Sequence, residues 1–211
     1  PTAAKDDKEH NFRKDLLLKM GDLGFFGSVI PEKYGGNGLG FLAMVIITEE
    51  VARVHSAVRV AINMQIGPAL ALLQFGSEEQ KKKWIPPLLR GEFVGCFAIT
   101  EPDAGSDVSA IRTAATRKDN GYVINGTKLW ISNAPVADGG LVYAYTDKSQ
   151  KYRGLSAFYA TFDQPGLTRR ALETMGAHAS PIGELTFENF PLSGENLLGK
   201  EGDGFIDAMR V

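Results

Sequence analysis

Cysteine is almost missing from this chain: Cys96 stands alone among 211 residues. One thiol cannot form an intrachain disulfide, so packing and hydrogen bonds must hold the fold, and a reducing compartment suits it best. An excess of charge is missing too. Lys and Arg number 23 against 25 Asp and Glu, a formal net charge of −2, which offers no electrostatic pull toward nucleic acid or an anionic membrane. Histidine is scarce, and His10, His55 and His178 have no metal-ligand spacing. No apolar run is expected to reach the ~20 residues of a membrane span, and no signal-peptide pattern opens the chain. The start, Pro1-Thr2-Ala3-Ala4, has no initiator Met, and residues 205–211 read as the first turns of an interrupted helix. The expectation is therefore a fragment. What the chain does have is 44% hydrophobic residues, enough for a sizeable core, and a length of 211 residues, enough for one large or two small domains.

The hydrophobic period changes near residue 92. Before it the pattern is helical: Leu16, Leu17, Met20, Leu23 and Phe26 share a face. Residues 41–54 and 56–75 read as further helices, the latter nearly apolar all round and so buried, with Gly67-Pro68 as a candidate kink. Ser77-Glu78-Glu79-Gln80 is a capping box opening a fourth helix, which Pro86-Pro87 should end. After Gly91 come short strands at 94–100, 111–118, 121–132, 141–147, 154–162, 167–172 and 183–190. Asp119-Asn120-Gly121 and Asn125-Gly126 read as two hairpin turns. The expected fold class is multi-domain α+β. A helical domain (1–92) precedes an antiparallel β-barrel or sandwich (93–200), and a stub (201–211) begins something else.

One stretch carries more chemistry than the rest. The strand at Phe97 and Ile99 runs through Thr100 into Glu101-Pro102-Asp103-Ala104-Gly105-Ser106-Asp107. That turn is built from residues that bend chains, with Gly105 able to take a positive φ, and its successive N–H groups could cradle phosphate oxygens. One hairpin later, Trp130-Ile131-Ser132-Asn133 sets an aromatic face beside a hydroxyl and an amide. A phosphate nest with a ring platform fits a nucleotide cofactor carrying a second ring system, such as a flavin. Taken singly the same residues read more plainly. Thr100 and Ser132 would cap strand ends, Trp130 would be core, and Gly105-Ser106-Asp107 would be a turn. Lys81-Lys82-Lys83 reads as a solvated helix face, and Cys96 as a small buried residue.

Six stretches in order resemble the acyl-CoA dehydrogenase family of flavoenzymes. They are Leu23-Gly24 to Gly36 (with Ile30-Pro31-Glu32 and Tyr34-Gly35-Gly36), Phe75-Gly76-Ser77-Glu78-Glu79-Gln80-Lys81, Thr100-Glu101-Pro102 to Asp107, Lys128 to Asn133, Met175-Gly176 to Leu185 (with Ser180-Pro181 and Glu184-Leu185), and Pro191 to Gly199 (with Glu195-Asn196-Leu197-Leu198). The resemblance implies a helical N-terminal domain, a β middle domain and a C-terminal four-helix domain, the last absent from this chain. It implies FAD as cofactor, with Phe97, Ile99, Thr100, Gly105, Ser106, Trp130, Ile131 and Ser132 around it. In that scheme Thr100 bonds the pyrimidine edge of the flavin, Ser106 binds the pyrophosphate, Trp130 packs on the ring and Ser132 reaches toward N5. Ser106 and Ser180 would lie along the CoA portion of an acyl-CoA substrate. The catalytic base of the family is a Glu of the C-terminal domain. No Glu here matches its motif, so no catalytic residue is assigned in this chain, and no metal is expected. Alone, the chain should bind FAD weakly and turn nothing over.

Arg59 is the odd residue of its helix, since a guanidinium among apolar neighbours is costly unless it meets an anion. The segment from Arg53 to Met64 resembles the glutaryl-CoA dehydrogenase branch, where such an Arg holds the distal carboxylate of the acyl chain. Residues 176–181 and 144–148 resemble its non-decarboxylating members, and Ala52 stands where decarboxylating relatives carry a Glu. The plainer reading of Arg59 is a salt bridge with Glu49, Glu50 or a group beyond the chain. The expected reaction is α,β-dehydrogenation of a short acyl-CoA such as glutaryl-CoA. The alternatives are a short-chain, branched-chain or cyclic acyl-CoA dehydrogenase with a structural Arg59, and a silent binding or assembly module on the same scaffold. The resemblance also implies an electron-transfer flavoprotein as acceptor, a homotetramer, and a bacterial cytoplasm or a mitochondrial matrix.

Overall fold

The computed structural model describes residues 2–210. Helices α1 (Ala3–Lys8), α2 (Lys14–Asp22), α3 (Phe41–Val54), α4 (Ser56–Phe75) and α5 (Glu78–Leu89) come first. Strands β1 (Gly95–Ala98), β2 (Ala114–Lys118), β3 (Gly121–Ser132), β4 (Gly139–Tyr145), β5 (Leu155–Thr161), β6 (Leu167–Leu172), β7 (Ile182–Ser193) and β8 (Leu197–Leu198) follow, then α6 (Gly204–Arg210). The α-to-β order is the expected one.

The capping box at Ser77 forms: its hydroxyl accepts the Gln80 N–H, and the Gln80 carboxamide accepts the Ser77 N–H. Pro86 and Pro87 do not end α5, which runs on to Leu89. Their fixed φ is helical, so the cost is two missing N–H donors in the last turn. Gly67-Pro68 likewise lies inside an unbroken α4. That helix has 20 residues and, against expectation, is long and apolar enough to cross a bilayer by length and composition. Here it packs in the core through Val58, Ala61, Ile62, Ile66, Ala69 and Leu72.

The strands form one sheet in the order β6-β7-β3-β2-β4-β5-β8, with β1 also on β4. It is mostly antiparallel, with two exceptions to the expected pattern. β1 runs parallel to β4 from Gly95↔Gly139 to Ala98↔Val142, and β2 meets β4 in parallel at Ala114↔Tyr145. The whole β2–β3 hairpin separates β1 from β4, the long crossover that parallel pairing requires. β4 and β5 are buried on both faces. Leu141, Tyr143, Leu155, Ala157 and Tyr159 pack with the helices, while Val142, Ala144, Phe158 and Ala160 pack with β3 and β7 residues such as Ile124, Leu185 and Phe187.

Asp119-Asn120 does turn the β2–β3 hairpin, with Lys118 opposite Gly121. Asn125-Gly126 is not a turn. It lies inside β3, opposite a bulge in β7: between Ile124↔Phe190 and Gly126↔Phe187, β3 advances by two residues and β7 by three, with Asn189 left-handed at φ +53°. Gly126 takes φ +149°, and a Cβ there would fall 2.4 Å from the Thr113 hydroxyl oxygen. The glycine answers a close backbone approach as well as a bend. The short β8 and α1 were not expected from the sequence.

Candidate functional site

β1 alternates cleanly. Cys96 and Ala98 point into the β interior, while half-buried Phe97 and Ile99 lie with the core shared by helices and sheet. The Phe97 ring sits 5.2 Å from Tyr143. Burial pushes the Cys96 thiol up to about 12, which fits an inert buried residue. The start of β1 is fastened by Gln65 of α4. The Gln65 carboxamide donates to the Leu88 and Phe93 carbonyls and accepts the Gly95 N–H.

Past β1 the chain makes a tight turn, with the Glu101 N–H on the Ala104 carbonyl at 2.8 Å. Gly105 and Ser106 are exposed on it. Gly105 is not among the positive-φ residues, so the expected left-handed glycine is not used, although its Cβ position is open. Asp107 accepts from the Ser109 N–H and opens a short 3₁₀ turn, Val108–Ala110.

The second cluster meets the first through the backbone. The Leu129 N–H donates to the Thr100 carbonyl at 2.9 Å. Next to it Trp130 adopts φ +60° at a second register shift of β3, between Lys128 and Ile131, and stays 57% exposed. A left-handed backbone is unusual for a bulky residue. Here it turns the indole out of the sheet, so Trp130 is not core. Ile131 is buried in the β interior, and Ser132 is half-buried. Asn133, also left-handed at φ +66°, donates from its side chain to the Gly95 carbonyl and from its N–H to Pro181. Its carboxamide oxygen is buried and unpaired.

Beneath both clusters lies a pair the sequence reading did not single out. Lys128 is fully buried and donates to Glu101 at 2.8 Å and to the Ile99 carbonyl at 3.1 Å. Glu101 also accepts from the Arg112 N–H, the Thr113 N–H and the Thr113 hydroxyl. Burial pulls Lys128 down to about 8 against the opposing pull of Glu101. Burial alone would raise Glu101, but the Lys128 charge and these hydrogen bonds leave it below the usual carboxylate range. Strand alternation held the signal: Tyr122, Ile124 and Lys128 share one parity, which puts the lysine inside.

Arg59 lies in the first turns of α4, six residues before Gln65, and is half-buried. Among the described residues no carboxylate pairs with it, because Glu49 and Glu50 both engage Arg53. The salt bridge with Glu49 or Glu50, the plainer of the two readings, is therefore not formed. Ser180, only 5% exposed, closes a turn onto the Ala177 carbonyl just before Pro181. The structure thus joins Phe97, Ile99, Thr100 and Trp130 around the end of β1 and ties the Ser180 segment to them through Asn133. Arg59 stands on the helix that docks β1. A groove of about 890 Å³ lies elsewhere, between α5 and residues 193–199.

The family described as acyl-CoA dehydrogenase, N-terminal domain, matches residues 1–92, and the corresponding middle domain matches residues 96–190. A glutaryl-CoA dehydrogenase from Desulfococcus multivorans is 51% identical over 97% of this chain and 54% of its own length. The mitochondrial short-chain specific acyl-CoA dehydrogenase of Rattus norvegicus is 41% identical over all of this chain and 52% of its own length. A solved glutaryl-coenzyme A dehydrogenase in complex with glutaryl-CoA superposes with TM-score 0.96 at 50% identity, over 99% of this chain and 54% of that one. A structure described as an electron transferring flavoprotein of Acidaminococcus fermentans gives 0.96 at 42%, over 99% and 56%. A glutaryl-CoA dehydrogenase from Mycobacterium smegmatis in complex with FADH2 gives 0.85 at 32%, over 92% and 50%. The chain spans about half the length of the relatives it matches.

Proposed function

The chain belongs to the acyl-CoA dehydrogenase family, and on that premise we propose that the full-length protein is an FAD-dependent dehydrogenase of a short acyl-CoA bearing a distal carboxylate, such as glutaryl-CoA. The observation that carries the substrate class is Arg59, a half-buried residue with no carboxylate partner among the described residues, the neighbouring Glu49 and Glu50 being taken by Arg53. Such a group favours an incoming carboxylate, which its planar fork can bind through two hydrogen bonds. Ala52 in place of a Glu favours desaturation without decarboxylation.

The residues present fit a flavin. Trp130 is held outward by a strained backbone, a cost that an exposed indole does not repay by packing and a stacked ring would. Phe97, Ile99, Thr100, Trp130, Ile131 and Ser132 would hold the ring system, and Gly105 and Ser106 the pyrophosphate. Bound FAD would supply the acceptor for the hydride leaving the substrate β-carbon. Around it, Thr100 and Ser132 would offer hydroxyl donors where the reduced ring gains charge. Ser106 and Ser180 would contact the CoA portion, and Arg59 would fix the far end of the acyl chain. We assign no base here; in the family scheme it lies outside these residues, and the domain limits 1–92, 93–200 and 201–211 follow the same scheme. An electron-transfer flavoprotein would take the electrons from a homotetramer, in a bacterial cytoplasm or a mitochondrial matrix.

Arg59→Met in the FAD-loaded full-length protein tests the substrate class. Losing one charged bidentate contact should lower kcat/KM for glutaryl-CoA by about 10- to 100-fold and leave butyryl-CoA turnover unchanged. Equal loss on both substrates would make Arg59 structural.

A further inference from the structure

Helix α1 reaches two distant places through neighbouring carboxylates. Asp6 is buried, with one oxygen on the Arg13 guanidinium at 2.9 Å and on His55 Nε2 at 3.3 Å, and the other on the Asn11 side chain at 3.0 Å. His55 is the N-cap of α4: its Nδ1 accepts the Val58 N–H, and its carbonyl accepts the Arg59 N–H. An Nδ1 that accepts leaves Nε2 as the protonated nitrogen, the one facing Asp6. The chain of contacts therefore runs from Asp6 through the His55 ring to the turn bearing Arg59.

Asp7 points the other way. One oxygen accepts the Ala179 N–H at 3.3 Å, and the other faces His178 Nδ1 at 3.3 Å. His178 Nε2 reaches the Thr174 carbonyl at 2.9 Å, so the ring closes the loop from residue 174 to 178. The His10 ring stacks on it at 4.6 Å, nearly parallel at 6°. Ala177 is held left-handed at φ +55°, and Ser180 closes onto its carbonyl. A loop with a strained residue keeps that shape only when outside contacts over-determine it, and Asp7 supplies two of them.

We infer that Asp6 and Asp7 are positioning residues for the two ends of the substrate: Asp6 sets Arg59 through the His55 cap, and Asp7 sets Ser180 through Ala179 and His178. This rests on the reading of Arg59 and Ser180 as acyl-end and CoA-end contacts. The two carboxylates then separate by substrate. Asp6 governs selectivity between a dicarboxylic and a simple acyl-CoA. Asp7 governs affinity for any acyl-CoA.

The test uses the FAD-loaded full-length protein and the variants Asp6→Ala and Asp7→Ala, with Asp6→Asn and Asp7→Asn where the alanine forms do not fold. Steady-state kinetics with glutaryl-CoA and butyryl-CoA are read beside amide hydrogen exchange. The Asp6 variant should lose about 10-fold in kcat/KM for glutaryl-CoA relative to butyryl-CoA, the equivalent of one hydrogen bond to a charge. Its exchange should speed up at the amides of residues 58–59 and not at 179–180. The Asp7 variant should raise KM for both substrates by a similar factor, leave kcat and the selectivity ratio intact, and speed exchange at 179–180 alone. Equal kinetic losses from both variants, or exchange raised throughout the protein, would overturn the inference and leave α1 a plain structural brace. If Arg59→Met leaves selectivity unchanged while both local exchange patterns appear, the proposed substrate class fails and the two mechanical linkages stand.

Discussion

Glu101 and Lys128 decide where two proposed cofactor contacts sit. The ammonium fastens Ile99 and Glu101, and Leu129, next in the chain, is bonded to Thr100. Removing one partner of a buried pair leaves the other charge uncompensated, a loss of about 3–5 kcal/mol. Lys128→Met or Glu101→Leu alone should therefore be strongly destabilising in urea denaturation, while the double replacement should recover only the part due to the uncompensated charge, because the Arg112 and Thr113 donors and the Ile99 carbonyl stay unpaired. Its FAD affinity should stay low, because the register of Thr100 against Trp130 is no longer held. Recovery of both would reduce the pair to filler. The acid limb carries a second signature. Glu101 is held below its ordinary value, so the native state binds fewer protons there than the unfolded chain as pH falls. Its contribution is complete above about pH 4.5, the ordinary glutamate range, and disappears as pH drops through the depressed native value. The stability of the wild type relative to the double variant should shrink over that window. This pair was partly legible, since alternation places Lys128 inward, but its partner comes from another strand end and only the fold supplies it.

The elements show where local sequence suffices. The capping box of α5 and the turn at Asp119-Asn120 were readable because each motif satisfies its own backbone groups within four residues. Asn125-Gly126 carries the same dipeptide signal and was misread. Its conformation is dictated by Thr113 and by β7, neither adjacent in sequence. Gly126→Ala should accordingly cost at least ~1–3 kcal/mol, the scale of overpacking a close contact, whereas an alanine in a plain turn would be milder. Gln80 gives a sharper contrast. Its carboxamide also donates to the Glu195 and Leu197 carbonyls, fastening α5 to the chain around β8. Ser77→Ala should cost about 1 kcal/mol, as for a lost helix cap. Gln80→Ala should cost more, because it strips a donor from two carbonyls besides the cap. Equal values from thermal denaturation would show that the α5–β8 fastening contributes nothing.

For the whole molecule, the sequence revealed the order of helices and strands and not the sheet that joins them. Alternation fixes which side chains face inward, but the crossover that makes β1 parallel to β4 depends on the return of a distant strand. The double burial of β4 and β5 follows from helices on one face and the folded sheet on the other, which their nearly unbroken apolar runs are consistent with. The family motifs were legible because they sit at strand ends and turns, where backbone geometry restricts residue type. Arg59 was legible as an anomaly, and its lack of a carboxylate partner among the described residues needed the structure. The most direct measurement is the visible spectrum of the full-length protein before and after anaerobic addition of glutaryl-CoA. A flavin band that bleaches with glutaryl-CoA, yielding an α,β-unsaturated dicarboxylic thioester, is the predicted result. A flavin band unmoved by glutaryl-CoA but bleached by butyryl-CoA, or no flavin at all, would contradict it.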